Sequence, residues 1–214
     1  TSQLSADTTT VDSARVPLSG EVSLTADRGL FQIQRVDLKT PASSLQATGQ
    51  FSYQGDSNLQ VALNSSDAAE LQAVLISSGL LPDVEEQLST YRIDLGGQFA
   101  FNGTLRGKLE SPDIDGRLSF SSLVINGNDL GALTAGIRMT PDELRIEDGR
   151  LTERDGGGMQ FTVVSPRTGE DNATVTATLD RVNAAALLVV LPLDRDTREK
   201  LRDTQADVSG TVQI

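Results

Sequence analysis

Two pairs of acidic residues, each pair separated by one residue, are the first candidates for chemistry in this sequence. They are Asp113 with Asp115 and Asp194 with Asp196. Carboxylates at this spacing occur in calcium loops of the EF-hand type, but such a loop needs further oxygen ligands and ends in a bidentate glutamate. Neither stretch supplies that set. We therefore expect both pairs to serve in turns and helix caps, and we expect no metal site.

Other catalytic side chains are scarce. The chain has no histidine and no cysteine, so the commonest general base and every disulfide are missing. Serine and threonine hydroxyls are plentiful, but no base is available to activate one as a nucleophile. The run Gly156–Gly158 lacks the Lys-Ser/Thr and the following helix of a phosphate loop, which predicts a β-turn or bulge. We expect no enzyme activity and no cofactor.

The charge balance excludes some partners. The chain carries 30 acidic and 18 basic residues, a net charge of −12. Nucleic acid binds surfaces rich in lysine and arginine, so it is not expected as a partner. The same acidic balance argues against simple electrostatic docking onto anionic lipid headgroups. The longest apolar run, Ala184–Leu193, is shorter than the roughly 20 residues of a membrane span.

Strict alternation of apolar and polar residues dominates the chain. It is clearest in Leu45–Tyr53, Leu59–Leu63 and Val175–Leu179, and it predicts strands with one dry and one wet face. Turn residues separate such stretches at spacings of about 8–12 residues, which favours an all-β fold. Further strands are predicted at Glu21–Ala26, Leu30–Leu38, Ile93–Phe101, Thr104–Leu109, Ile114–Phe120, Leu123–Ile125, Ala132–Met139, Leu144–Ile146, Met159–Val164 and Asp207–Ile214.

Two helix-like segments interrupt the strands. Both begin with alanines followed by leucines, at Ala68 and again at Ala184, and each is followed by a strand of similar pattern. Asp67 and Asn183 are the predicted N-caps, and Glu70 would complete a capping box with Asp67. This recurrence predicts a stacked array with a period of about 115 residues.

The predicted array has two β-repeat units. The first covers residues 1–101, with helices near 67–78 and 82–90, and the second covers 102–214, with helices near 183–191 and 194–203. Because the sequence begins without methionine and stops inside a strand pattern, we expect both units to belong to a longer protein.

The middle of the chain resembles a known family. Residues 103–118 follow the pattern G-x-L-x-G-x-L-x-x-P-x-I-x-G-x-L, and residues 123–133 follow L-x-I-N-G-x-x-L-G-x-L. These patterns resemble the repeating segments of the AsmA-like family, and of its TamB-like members in particular. The resemblance covers most of the chain and is best at 97–214.

The resemblance implies a fold, a location and partners. Members of this family are large proteins of the Gram-negative-type cell envelope, anchored in the inner membrane by an N-terminal helix that lies outside this segment. They extend through the periplasm as a long, mostly antiparallel, curved sheet that forms a taco-like groove. The family is tied to phospholipid movement towards the outer membrane, and TamB-like members also to assembly of outer-membrane barrel proteins with a partner barrel.

The apolar strand faces allow two interpretations. They could form a sandwich core closed by a second sheet, or they could line a groove in which acyl chains take the place of that sheet. The second interpretation predicts a diffuse site for phospholipid acyl chains. Its expected residues are Leu45, Phe51, Val61, Leu63, Phe99, Phe101, Ile114, Leu118, Phe120, Ile125, Ile137, Met139, Ile146, Phe161, Val163, Val175 and Leu179.

Two other functions remain open. The segment could be a chaperone module that pairs strand edges with outer-membrane barrel proteins, or a rigid spacer whose apolar faces are closed against each other. The helices could cover sheet edges or plug the groove, and the sequence does not decide between these roles.

Overall fold

The chain folds mainly as one antiparallel sheet. A computed structural model describes residues 2–5, 16–52, 55–78, 93–108, 112–168, 172–183 and 207–213, which contain thirteen strands and one α-helix. The predicted all-β class with short helical insertion is therefore confirmed. The strands are β1 Ser2–Ser5, β2 Ser19–Asp27, β3 Leu30–Lys39, β4 Ser43–Ser52, β5 Ser57–Ser65, β6 Leu95–Gly96, β7 Phe99–Gly107, β8 Asp113–Ile125, β9 Asn128–Met139, β10 Glu143–Thr152, β11 Gly158–Pro166, β12 Thr174–Asn183 and β13 Asp207–Gln213, and the helix α1 is Ala68–Ser78.

Strand order in the sheet follows sequence order. Each strand pairs antiparallel with its neighbour from β1 to β13, except that β5 pairs with β7 and the short β6 pairs with β8. Among the described strands the sheet is open, with β1 and β13 at the two ends of the strand order. Within the described ranges every strand belongs to this one sheet, so these residues do not form the two facing sheets of a sandwich.

The register collects the apolar positions on one side of the sheet. Residues directly opposite each other in an antiparallel pair share a face, and the register pairs apolar residue with apolar residue along the path. This side is termed the apolar face. It carries Val22, Leu24, Phe31, Ile33, Val36, Leu38, Leu45, Ala47, Phe51, Leu59, Val61, Leu63, Phe99, Phe101, Leu105, Ile114, Leu118, Phe120, Leu123, Ile125, Leu133, Ala135, Ile137, Met139, Leu144, Ile146, Leu151, Met159, Phe161, Val163, Val175, Ala177 and Leu179.

The opposite side, termed the polar face, carries the charged residues of the strands. Asp115 on β8 and Arg138 on β9 form an ion pair with 3.3 Å between the Arg138 Nε and the Asp115 carboxylate. Asp113 also lies in β8. The turn role predicted for Asp113 and Asp115 is therefore wrong, because the two residues alternate with apolar ones inside a long strand. Asp194 and Asp196 lie outside the described residues.

Two hairpins have tight two-residue turns. Asn126 and Gly127 connect β8 to β9 with φ of 51° and 78°, and Arg28 and Gly29 connect β2 to β3 with φ of 47° and 83°. Left-handed conformations at both positions are typical of type I′ turns, whose twist matches that of the strands they join. The Asn-Gly sequence predicts the β8–β9 turn, whereas the sequence Arg28-Gly29 does not predict the β2–β3 turn.

Several predicted strands are parts of longer ones. The stretches Ile114–Phe120 and Leu123–Ile125 both belong to β8, and a register shift lies between Phe120 and Leu123. This shift keeps Phe120 and Leu123 on one face although three positions separate them. The predicted separation of the two strands is wrong, because a bulge in place of a turn changes the parity.

Register shifts recur across the sheet. They lie in the pairs β2–β3, β3–β4, β8–β9, β9–β10, β10–β11 and β12–β13. A bulge bends its strand and increases the local twist, so the sheet contains bending points in both halves of the chain. The edge strand β1 was not predicted.

Helix α1 begins with the predicted cap. The Oδ1 atom of Asp67 accepts a hydrogen bond from the Ala69 N–H at 3.0 Å, which confirms Asp67 as the N-cap. The capping box is wrong, because the Asp67 N–H donates to Ser65 Oγ at 3.1 Å and Glu70 bonds elsewhere. The helices predicted near 82–90 and 194–203 lie outside the described residues. Of the helix predicted near 183–191, residues 184–191 also lie outside them, and Asn183 is the last residue of β12.

The described residues on both sides of the predicted unit boundary form one continuous sheet. The predicted boundary between residues 101 and 102 lies inside β7, so no break in hydrogen bonding marks it. The division into two units stays a prediction.

The buried core lies at one end of the sheet. This end, termed the α1 end, is where β5 stops at Ser65, β7 starts at Phe99 and β8 stops at Ile125. The opposite end is termed the far end. The core cluster of the α1 end consists of Ala68, Phe120, Leu123, Ile125, Leu130 and Leu151, with Ile93, Leu95, Phe99, Leu118, Leu133 and Met159 packed against it.

Candidate functional site

The structure places all seventeen residues of the predicted site on the apolar face. All six phenylalanines of the chain lie there as well, including Phe31, which the prediction omitted. In the described strand pairs, the residues registered opposite members of this face are uncharged. The face is therefore a continuous apolar surface that crosses strands β2 to β12.

The predicted residues differ in how far they are covered. Phe120, Ile125 and Leu179 are buried, with 7%, 8% and 7% of their surface exposed. The other fourteen are half-buried. Neighbouring strands about 4.8 Å apart cover the sides of these residues, whereas the tips point away from the sheet. Burial is deepest towards the α1 end, and half-buried residues such as Ile114 and Met139 mark the far end.

Helix α1 covers the apolar face only at the α1 end. Ala68 is 2% exposed and belongs to the cluster of Phe120 and Ile125. The helix follows β5, which has sheet partners on both sides. It therefore packs onto the end of interior strands and does not cover an edge strand.

Two polar side chains anchor α1. The Gln72 amide donates to the Ile93 carbonyl and accepts from the Leu95 N–H, both at 2.7 Å, much as a strand backbone would. The Glu70 carboxylate accepts hydrogen bonds from the Thr40 hydroxyl and, at 2.8 Å, from the Ser43 hydroxyl. It also accepts from the Ala42 N–H. The Glu70 bonds tie the helix to the β3–β4 turn, and the Gln72 bonds tie it to the segment that contains Ile93 and Leu95.

Aromatic rings pack in pairs on the apolar face. Phe99 and Phe120 lie opposite each other on β7 and β8, with ring centroids 5.0 Å apart and planes at 63°. Phe31 and Phe51 form a second pair, with centroids 5.5 Å apart. Edge-to-face pairs add about 0.5–1.5 kcal/mol beyond the area they bury.

Sequence reasoning missed part of the face. Ile33, Val36 and Leu38 on β3 belong to it but do not follow a simple alternation, because a register shift separates Ile33 from Val36. Two consecutive polar residues, Gln34 and Arg35, interrupt the alternation between Ile33 and Val36, and this is the signal that could have indicated a bulge.

Two cavities lie mainly on the polar face. One of about 600 Å³ is lined by the β3–β4 turn and by polar side chains such as Ser44, Asn64 and Ser119. A second, of about 280 Å³, is lined by residues that include Gln46, Gln60 and Asn102. Apart from Lys39 in the first cavity, the residues that line the two cavities are uncharged, so they mainly offer hydrogen-bonding groups.

Two carboxylates with lowered pKa values also lie on the polar face. The Arg35 guanidinium donates a 2.8 Å hydrogen bond to the Asp37 carboxylate and lowers the pKa of Asp37 against the opposing effect of desolvation. The Asp129 pKa is lowered chiefly by the Gly131 N–H, which lies 2.9 Å from the Asp129 carboxylate. Both carboxylates act as structural acceptors. In the part of the chain that the structure describes, acidic side chains do not gather in a group that could hold a metal ion.

Comparison of the chain with protein-family models, curated protein sequences and solved structures finds no match. Among the described residues no helix has both the length and the apolar character to span a membrane. The apolar face is therefore the candidate functional site of the described residues.

Proposed function

We propose that this chain is a segment of a periplasmic, groove-forming protein whose apolar face binds phospholipid acyl chains and supports lipid transport between the inner and outer membranes. The observation that carries the proposal is an uncharged apolar face across a single open sheet, with most of its side chains half-buried. Large contiguous apolar surfaces that a protein leaves uncovered mark binding sites, and most side chains of this face are partly accessible to solvent.

The dimensions of the face suit a lipid. The sheet path has twelve strands, and eleven steps of about 4.8 Å give a width of about 53 Å. Burial of an acyl chain along that direction is favourable by roughly 0.8 kcal/mol for each CH₂ group that is removed from water. No single residue needs to bind strongly, so a lipid can move along the face without a chemical reaction.

Bending of the sheet would turn the face into a groove. The register shifts in six strand pairs supply bending points, since bulges curve the strands that contain them. With the apolar face on the inside, headgroups would remain at the strand ends, where the turns are polar. The resemblance to AsmA-like and TamB-like repeats supports the same arrangement and an inner-membrane anchor outside this segment.

The two parts of the face have different roles in this proposal. Residues of the α1 end, such as Ile125, stabilise the fold, and residues of the far end, such as Ile114 and Met139, contact the acyl chains. The test is therefore Met139→Asp on the apolar face, with Thr134→Asp on the exposed polar face of the same strand as the matched control.

Native mass spectrometry of the purified chain measures co-bound phospholipid, and circular dichroism verifies the fold. We expect lipid on the parent protein and on the Thr134→Asp variant, and strong loss of lipid from the Met139→Asp variant. A parent protein that carries no lipid and captures none from phospholipid vesicles would contradict the proposal.

A chaperone function is the second candidate, and the open edges of the sheet favour it. Residues Val208–Thr211 of the edge strand β13 are exposed, and an extended segment of an outer-membrane barrel protein could pair with such an edge. Thr211→Pro removes one backbone donor from β13. Loss of crosslinking to barrel-protein peptides in this variant, with unchanged lipid capture, would favour the chaperone function.

A further inference from the structure

Two phenylalanine rings on the apolar face lie across glycines. Gly103 on β7 and Gly116 on β8 are register partners, and Phe101 lies two residues before Gly103. A Cβ atom added to Gly103 would come within 2.6 Å of the Phe101 Cζ, and one added to Gly116 would come within 2.7 Å of the same ring. The ring therefore occupies the space that side chains at both positions would fill.

The same arrangement recurs three strands away. Gly149 on β10 is the register partner of Phe161 on β11, and a Cβ atom added to Gly149 would lie 2.7 Å from Cε2 and Cζ of Phe161. Neither Gly149 nor Gly116 has a left-handed backbone, so neither glycine is required by its own conformation. What these positions need is the absence of a side chain.

A ring in this position lowers the local height of the apolar face above the sheet. Side chains of strands normally stand roughly perpendicular to the sheet, whereas a ring that covers a glycine lies down against the backbone. It then rests at a contact distance of about 3.5–4 Å, and the surface above it is lower than above an upright leucine or isoleucine. Phe101 and Phe161 thus make two low, flat areas in the apolar face.

We propose that these two glycine-supported rings set the clearance of the apolar face, that is, the free space above the face that an acyl chain can occupy. They thereby decide how bulky an acyl chain the face accepts. This inference rests on the proposed lipid-binding function and adds a specificity determinant to it. Raising the rings excludes methyl-branched chains before straight ones, and removing a ring admits branched chains more readily.

The test compares palmitic acid, which is straight, with phytanic acid, which carries methyl branches, by competitive capture on the full 214-residue chain. In Gly149→Ala the new methyl group lifts the Phe161 ring, and we expect the ratio of phytanic to palmitic acid to fall about tenfold, the typical effect of a methyl group in an apolar pocket. In Phe161→Ala the ring is gone, and the ratio should rise.

The second variant protects the test against misfolding. The Gly149 Cβ position is also 2.7 Å from the Phe161 carbonyl oxygen, so Gly149→Ala strains the backbone, whereas Phe161→Ala introduces no collision. Gly136→Ala is the matched control, since Gly136 lies on the polar face and its Cβ position is 3.4 Å from the nearest atom.

The outcomes separate the two proposals. Opposite shifts in Gly149→Ala and Phe161→Ala, or a rise in Phe161→Ala alone if the first variant does not fold, with no change in Gly136→Ala, would support the clearance role. Capture of both acids by the parent protein with an unchanged ratio in Phe161→Ala would overturn this inference alone. Capture of neither acid by the parent protein would overturn the lipid-binding function together with the inference.

Discussion

The two isoleucines at the ends of β8 test whether the apolar face is covered at one end and open at the other. Ile114 and Ile125 lie on the same strand and the same face, but Ile125 is 8% exposed inside the core cluster, whereas Ile114 is half-buried at the far end. We therefore compare Ile125→Ala with Ile114→Ala, which remove the same atoms from the two environments.

The expected losses of stability follow from burial. Each substitution removes three carbons, worth about 2.4 kcal/mol of transfer free energy when the side chain is fully buried. At Ile125 a cavity among Phe120 and Leu123 adds to this, and a total of about 3.5 kcal/mol is expected. At Ile114 solvent fills the space and part of the surface was already exposed, so we expect about 1.5 kcal/mol.

Urea unfolding of lipid-stripped protein, followed by circular dichroism, measures the difference. With a slope of about 3 kcal/mol per molar urea, a gap of 2 kcal/mol separates the two midpoints by about 0.7 M. Equal losses at the two positions would refute the reasoning, because Ile114 would then be covered by a second layer and the apolar face would be a closed core.

Three further substitutions test other parts of the structure. Glu70→Ala removes the acceptor of the Thr40 hydroxyl and should destabilise the protein by about 1–3 kcal/mol and speed hydrogen exchange in α1, with a smaller effect for Glu70→Gln. Arg35 holds the pKa of Asp37 below its usual value, so the stability that this pair contributes is present above about pH 4 and is lost as the pH falls through the native pKa. An acid-unfolding curve of the Asp37→Asn variant should lack that part of the loss of stability. Gly127→Ala forces a methyl group into a turn position with φ of 78° and should cost about 1–2 kcal/mol in urea unfolding, although nothing lies within 4 Å of the added carbon.

Sequence alternation predicted the apolar face because period two is a local property of strands. Leu59, Val61 and Leu63 are visible as one face in the sequence, and β5 and β4 need no other information to register them. The same reasoning placed Phe101 and Phe120 on a common face although different strands carry them.

Bulges and tertiary contacts were beyond this reasoning. The register shift after Phe120 reverses the parity within β8, and no single residue type announces it. Glu70 has the spacing of a capping box, but a turn thirty residues earlier in the chain offers it hydroxyl and backbone donors. Whether a side chain on the apolar face is buried or half-buried depends on α1 and on neighbouring strands, which local sequence does not encode.

The agreement between strand order and sequence order has a consequence for how the chain folds. Nearly every strand pairs with the strand just before it, so most contacts close short loops, and longer segments are bridged at the β1–β2, β5–β7 and β12–β13 steps. Short loops have a low entropic cost of closure, and proteins rich in near-sequence contacts fold quickly. Such a sheet can grow by one hairpin at a time as the polypeptide emerges, with each completed strand acting as the template for the next.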